Sequence, residues 1–249
     1  MKIKIRFKFK ITRIKNIRIS IKLEKGKIML NKALKALKNG EFILMYDDEK
    51  RESETDMIIG AEFVGGKEVA TMREDAGGLI CCCIHPDYCN KLGLPFMTDI
   101  MDVAKEKYPL LGKLTPNDIP YDERSSFSVW TNHRNTFTGI TDNDRALTIN
   151  SMAKICGEKR FNDFGKEFRS PGHVSLLRGA DGLLKNRQGH TEIGLAMAEM
   201  AGITPVTVVC EMMDGTTGEA RSVEKAEDYA KEHGLIFMDG NIVIEEYSK

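Results

Sequence analysis

The residues best equipped for chemistry lie in two stretches far apart in the chain. The first, Tyr46 to Asp56, sets acids at Asp47, Asp48, Glu49, Glu52, Glu54 and Asp56 around two bases, Lys50 and Arg51. Carboxylates so closely spaced repel one another unless a proton or a cation intervenes, and hard divalent metals are the usual cation for oxygen ligands. A solvated acidic loop is the competing interpretation, and for such a stretch alone it is the commoner one. The second stretch, Arg187-Gln188-Gly189-His190-Thr191, supplies what an all-carboxylate site lacks. It sits at the mouth of a helix, where unpaired N–H groups and the helix dipole favour an anion. Arg187 can fork onto that anion and the Thr191 hydroxyl can add a bond. Imidazole is a frequent ligand for transition metals such as manganese, and Glu52 offers the matching oxygen. Taken alone, this second stretch is equally a capped and solvated helix start.

Two further side chains are candidates for moving protons. His173 follows Ser170-Pro171-Gly172, a turn that can aim a side chain into a cleft, although a lone histidine is more often a satisfied polar residue. Glu211 ends the run PVTVVCE, and a carboxylate at the end of a buried strand has its charged form disfavoured, which tunes it upward as a general base. The alternative is a surface residue at a strand end. His85, His133 and His233 are assigned structural places.

These groups need elements to hold them. The apolar run 42–46 predicts a buried strand, so the acids begin where that strand leaves the core. Before it, Asn31 is a candidate cap for a short helix carrying Ala33, Leu34 and Leu37 on one stripe and ending at Gly40. A strand over 57–64, a helix over 67–75, a strand over 79–84 and a short helix opened by Pro86 follow. Residues 94–124 hold Pro95, Pro109, Pro116 and Pro120 and no clear period. An irregular span of that length is often functional, so it is expected to cover or line something.

Next come a strand over 125–131, a turn at 138–142 leading to a helix over 143–156, and a turn at 170–173 leading to a short strand over 174–177. Thr191 is the expected cap of a helix ending at Gly202, followed by a strand over 205–212 and a helix capped by Ser222. Short strands at 235–238 and 242–244 close the chain. Strands and helices interleave without a regular βαβ repeat, which predicts a single α+β domain with mixed β-sheets and surrounding helices, not doubly wound.

Charge divides the chain unevenly. Lys and Arg total 37 and match Asp and Glu, but residues 1–28 hold eleven of the bases and one acid, so the remainder is acidic by ten. An acidic body does not suit a nucleic-acid platform and does suit divalent cations. The basic N-terminal extension, 1–28, alternates basic and apolar residues and could bind RNA or anionic lipid or add a strand. Because Met29-Leu30 looks like a native start, the working domain is expected to be 29–249. No apolar run is long enough to span a bilayer, and the amino end lacks the uninterrupted apolar core of a secretory signal, which predicts a cytoplasmic protein without membrane or nucleic-acid partners. Three of the six cysteines are consecutive, Cys81 to Cys83, which suits reduced thiols better than a disulfide framework. A zinc site from Cys81, Cys83, His85 and Cys89 lacks the paired CxxC spacing that would support it.

The motifs RESETD (51–56), GGLICCC (77–83), TGITDNDR (138–145), SPGH (170–173), RQGHT (187–191) and CE (210–211) occur in the order found in 3,4-dihydroxy-2-butanone 4-phosphate synthases of riboflavin biosynthesis. From about Leu30 to the carboxyl end the chain resembles the archaeal form of that family. The family usually has Asn where this chain has Ser53 and a small residue where it has Thr55, changes that bear on loop shape and remove no ligand.

The resemblance implies a lyase that converts D-ribulose 5-phosphate to 3,4-dihydroxy-2-butanone 4-phosphate and formate. It also implies two magnesium or manganese ions, and a homodimer with active sites at the subunit interface. Glu52 and His190 match metal ligands. Arg51, Asp56 and Arg187, Gln188, Gly189, His190 and Thr191 match substrate contacts. His173 and Glu211 match catalytic positions, Glu211 also meeting substrate, and Thr138, Asp47, Glu54 and Cys81 match further pocket positions. A metal-dependent phosphosugar isomerase or aldolase would use the same groups without releasing formate. An RNA-binding protein led by the basic segment is opposed by the acidic body and by the absence of stacked-aromatic motifs.

Overall fold

The computed structural model describes residues 24–116 and 118–249. Its strands are β1 (Ile43–Tyr46), β2 (Thr55–Gly60), β3 (Cys81–Ile84), β4 (Phe127–His133), β5 (Phe168–Arg178), β6 (Val206–Glu211), the short pair β7 (Met213–Asp214) and β8 (Glu219–Ala220), and β9 (Ile236–Asp239). The helices are α1 (24–38), α2 (Gly66–Thr71), α3 (Pro86–Leu92), α4 (Met97–Ala104), α5 (Pro109–Lys113), α6 (Asp142–Gly157), α7 (Phe164–Glu167), α8 (His190–Ala201), α9 (Val223–His233) and α10 (Gly240–Tyr247).

Seven strands form one mixed sheet in the order β4-β5-β3-β6-β2-β1-β9, with β3–β5 and β1–β9 parallel and the other neighbours antiparallel. Side chains alternate across a strand, so each strand feeds two cores. Leu44, Met57, Ile59, Cys82, Val208 and Cys210 pack with Val69 of α2, Ile149 and Met152 of α6 and Ala226 of α9. Ile43, Ile58, Cys81, Cys83 and Val209 pack with Leu30 and Leu37 of α1, Ile193 and Met197 of α8 and Val243 of α10. Burial on both faces is why the central strands are written as unbroken apolar runs. The same alternation sends Cys82 away from Cys81 and Cys83, and all six cysteines are free and buried. Cys89 lies in the core opposite Cys81 and Cys83, so the four candidate zinc ligands do not gather.

The α+β assignment holds, and several local expectations do not. Residues 242–244 are helical, because Asp239 caps α10 by accepting from the Asn241 N–H at 2.9 Å. A three-residue apolar run has no period with which to choose between strand and helix. Ser170 to His173 is not a turn but part of the long strand β5, whose pairing with β4 shifts register there and whose Ser170–Pro171 peptide is cis. Asn31 lies inside α1, and the helix is already formed at residue 24. Residues 94–124 are not structureless, since they carry α4 and α5. The basic extension falls, up to residue 23, outside the described residues.

One end of the sheet concerns function. Tyr46 pairs with Thr55, Asp56 with Glu211, Val209 with Cys81 and Cys81 with Ser175, so the acidic loop, Glu211 and the start of β3 meet there. By alternation Asp56, Cys81, Glu211 and His173 share the face on which α8 packs.

Candidate active site

The loop between β1 and β2 is folded around a buried acid. Asp47 accepts from the Glu52 N–H at 3.0 Å and from the Glu54 N–H at 3.1 Å, which turns both side chains toward the cleft. Ser53, between them, takes a left-handed backbone (φ 57°) that L residues other than Asn and Asp adopt reluctantly. Opposite, α8 begins at His190 with Gly189 as its cap and no side-chain cap bond, so its first N–H groups stay available for a ligand. Thr191 lies inside the helix and does not cap it. A Cβ on Gly189 would stand 2.5 Å from Arg187 Nη1 and 2.9 Å from Arg51 Nη2. Only glycine lets both guanidiniums lie against this backbone.

His190 Nδ1 lies 3.3 Å from Glu52 Oε2 and 3.7 Å from Asp56 Oδ2, although 138 residues separate the first pair. Burial pushes the Asp56 carboxyl up to about 8, with the His190 charge opposing and Glu211, Glu52 and Glu54 adding. Burial works against a charged His190, but Asp56, Glu52 and Asp47 outweigh it and lift the imidazole to about 9. Glu52 is desolvated too, yet His190, Arg187 and Arg51 hold it below the usual carboxylate range. Glu54 is raised by burial and by Glu52 and Glu211.

Arg187 donates from Nε to Asp122 Oδ2 and from Nη1 to Glu192 Oε2, each at 2.6 Å. Glu192 is fully buried and accepts from the Ala180 N–H at 2.9 Å through its other oxygen. Against the penalty of burial, these two acids hold the guanidinium charged well above its ordinary range. On the far wall Glu211 Oε2 accepts from the Leu79 N–H at 2.8 Å. A Cβ on Gly78 would lie 2.6 Å from the Glu211 carbonyl oxygen, so this close approach also requires glycine. Between the walls is a cleft of about 270 Å³, lined by Glu52, Glu54, Asp56, Cys81, Arg187, His190, Thr191 and Glu211, and by Ile119, Tyr121, Asp122 and Arg124 from the proline-rich span.

Arg51 joins this group through Asp47, Glu52 and Asp122, at 3.7, 3.5 and 3.6 Å. Gln188 does not line the cleft. It is exposed and turns its amide to the Leu184 carbonyl at 3.4 Å. His173 and Thr138 form a second group around Asn132. The His173 N–H donates to Asn132 Oδ1 at 2.8 Å, and Asn132 Nδ2 donates to the Thr138 carbonyl at 3.3 Å. Both are exposed, and in the strand order His173 stands two strands from Glu211. Two residues of consequence had no motif to mark them. Asp122 showed itself only through the length of the irregular span, and Glu192 only as the acid following His190-Thr191.

Ligand atoms of Asp47, Glu52 and His190 lie within 4.8 Å of one another, the one group of this kind among the described residues. His190 Nε2 and Asp56 Oδ1 are buried without a hydrogen-bond partner, as are Nε and Nη2 of Arg51. Such unmet polar groups are costly inside a protein and suit a site awaiting a cation and an oxyanion together. The donor set, carboxylates and one imidazole, fits magnesium or manganese.

Fold and cleft together define an enzyme of the kind that sets a metal-binding acid–imidazole group beside an anion cradle. A sequence profile for 3,4-dihydroxy-2-butanone 4-phosphate synthase matches residues 31–246. A protein of that name from Methanothermobacter thermautotrophicus is 57% identical over 220 residues, covering 88% of this chain and 96% of the relative. One from Archaeoglobus fulgidus is 54% identical over 221 residues, covering 87% and 93%. A crystal structure of 3,4-dihydroxy-2-butanone 4-phosphate synthase in complex with two magnesium ions matches with a TM-score of 0.71 at 29% identity, covering 87% of this chain and 94% of that one. The chain belongs to the 3,4-dihydroxy-2-butanone 4-phosphate synthase family.

Proposed function

We propose that the protein is a lyase of riboflavin biosynthesis that takes D-ribulose 5-phosphate to 3,4-dihydroxy-2-butanone 4-phosphate and formate. The two products together contain every atom of the substrate, so no redox partner is needed. The observation that carries the proposal is the meeting of Glu52 with His190 at 3.3 Å, directly beside Arg187 and Arg51. Glu52 and His190, with Asp47 beneath them, would hold two magnesium or manganese ions. Bound there, the ions supply Lewis-acid stabilisation of the negative charge that develops on sugar oxygens.

The chain's own groups do the rest. Arg187, Arg51, Thr191 and the first N–H groups of α8 take the phosphate. Glu211, with one oxygen held by the Leu79 N–H, keeps the other for the proton beside the substrate carbonyl. His173, oriented by Asn132, carries protons in the later dehydration and skeletal rearrangement, and Thr138 and Asn132 fix its place.

We assign the active form as a cytoplasmic homodimer with the site at the subunit boundary. Exposed Phe137 and Ile140 flank Thr138 of the His173 group and exposed Leu79 adjoins Glu211, so both parts of the site carry apolar side chains that a second copy would cover, which supports that assembly. Sedimentation showing only a 28.0 kDa species would remove the dimer.

The test is purified protein, ribulose 5-phosphate and magnesium, with formate followed over time. Formate should appear and should stop on chelation. Untouched substrate would end the proposal, and conversion to an isomer without formate would favour a phosphosugar isomerase.

A further inference from the structure

Arg187 is committed on one side. Its Nη1 is tied to Glu192, a carboxylate with no exposure whose second oxygen is already held by the Ala180 N–H. The edge made by Nε and Nη2 is untouched by Glu192 and suits two-point recognition of an oxyanion. Asp122 stands on that edge, with Oδ2 2.6 Å from Nε. The same oxygen reaches toward Arg51 but stops 3.6 Å from Nη2, and both Nε and Nη2 of Arg51 remain buried without an acceptor. A carboxylate bonded through a single oxygen therefore serves one guanidinium and leaves the other unmet. A phosphate presents three oxygens and can serve both.

We infer that Asp122 is a tethered stand-in for the phosphate, a specificity residue that holds Arg187 until an anion able to satisfy Arg187 and Arg51 together displaces it. This rests on the phosphate assignment made above. Its consequence is discrimination. An anion offering no more than one carboxylate gains nothing by replacing Asp122, which is already in place and has little further freedom to lose. A dianionic phosphate ester gains the unmet donors of Arg51 as well, so the cradle prefers the phosphorylated sugar to acids and to unphosphorylated sugars.

The experiment is calorimetric binding of inorganic phosphate to the full chain at fixed magnesium and ionic strength. Asp122→Asn should tighten phosphate binding by roughly tenfold, the order set by one charge-assisted hydrogen bond lost from the empty site. It should also lower the KM for ribulose 5-phosphate without raising kcat. Glu123→Gln removes the same charge one residue away on an exposed side chain, and should change the binding less than about twofold at ordinary salt. Weaker or unaltered phosphate binding in Asp122→Asn overturns the inference, as does an equal gain in Glu123→Gln, which would make the effect one of general field. Asp122→Ser, with circular dichroism on each variant, guards against a misfolded substitution. Formate release by the unaltered protein is scored separately. Its failure refutes the lyase assignment, while the phosphate titration still decides whether Asp122 competes for the arginines.

Discussion

At the scale of single residues the cleft depends on side chains held by what surrounds them. Arg187 can present two parallel donors because Glu192 fixes its other side, and lysine offers a point charge with no such fork. Arg187→Lys should raise the KM for ribulose 5-phosphate by roughly 10- to 100-fold, from about 1.5–3 kcal/mol for a hydrogen bond to a charged group, with a smaller effect on kcat. An unchanged KM in steady-state formate assays would place the phosphate elsewhere. Ser53 is a different case, since its left-handed backbone is a cost borne by the acidic loop. Asn tolerates that conformation better, and Asn is the residue the family usually carries there. Ser53→Asn should raise stability by a few tenths to about 1 kcal/mol, seen as a higher urea midpoint at constant slope. A lower midpoint would show that the hydroxyl's 3.2 Å contact with Tyr46 matters more than the backbone.

Elements decide which residues can meet. The β2–β6 register sets Asp56 opposite Glu211, and the start of α8 brings His190 over that pair. Strand and helix thus contribute the two halves of one site. The opposite edge of the sheet carries a pH-sensitive joint. His133, at the end of β4, is buried edge-on to Phe168, and burial holds its imidazole below the usual value while Glu167 acts weakly the other way. A histidine depressed in the folded state favours the neutral form. The stability it contributes is present above about pH 6.5 and is lost as pH falls through that value toward the lower folded one. His133→Gln should therefore flatten the fall in urea midpoint between about pH 7.5 and about pH 5.5 relative to the unaltered protein. An equally steep fall in both proteins would assign the loss to other groups.

For the molecule as a whole, the acidic end of the sheet couples metal binding to folding. Asp47, Asp56 and His190 are buried together, and a cation that binds only the folded chain stabilises it by mass action. Magnesium at a hundred times its Kd should add about 2.7 kcal/mol, and each kcal/mol moves Tm by about 2–4 °C in a chain of this length. Differential scanning calorimetry should show the rise, its reversal by chelator and its near absence in Glu52→Gln. A rise undiminished in Glu52→Gln would put the cation somewhere else.

Residue types and their spacing reveal the membership of the cleft more than its shape. Acids without enough bases and an imidazole at a helix mouth are local facts, and the apolar run 42–46 already implied a buried strand. Local patterns cannot say which segments of the chain meet in space. Only the tertiary structure therefore put Glu52 against His190, turned Gln188 outward, grouped His173 and Thr138 around Asn132, and joined Asp122 to Arg187. The choice of helix over strand at 242–244 belongs with these. Three apolar residues carry no period, and it was the Asp239 cap and the packing of Val243 against the core that decided it.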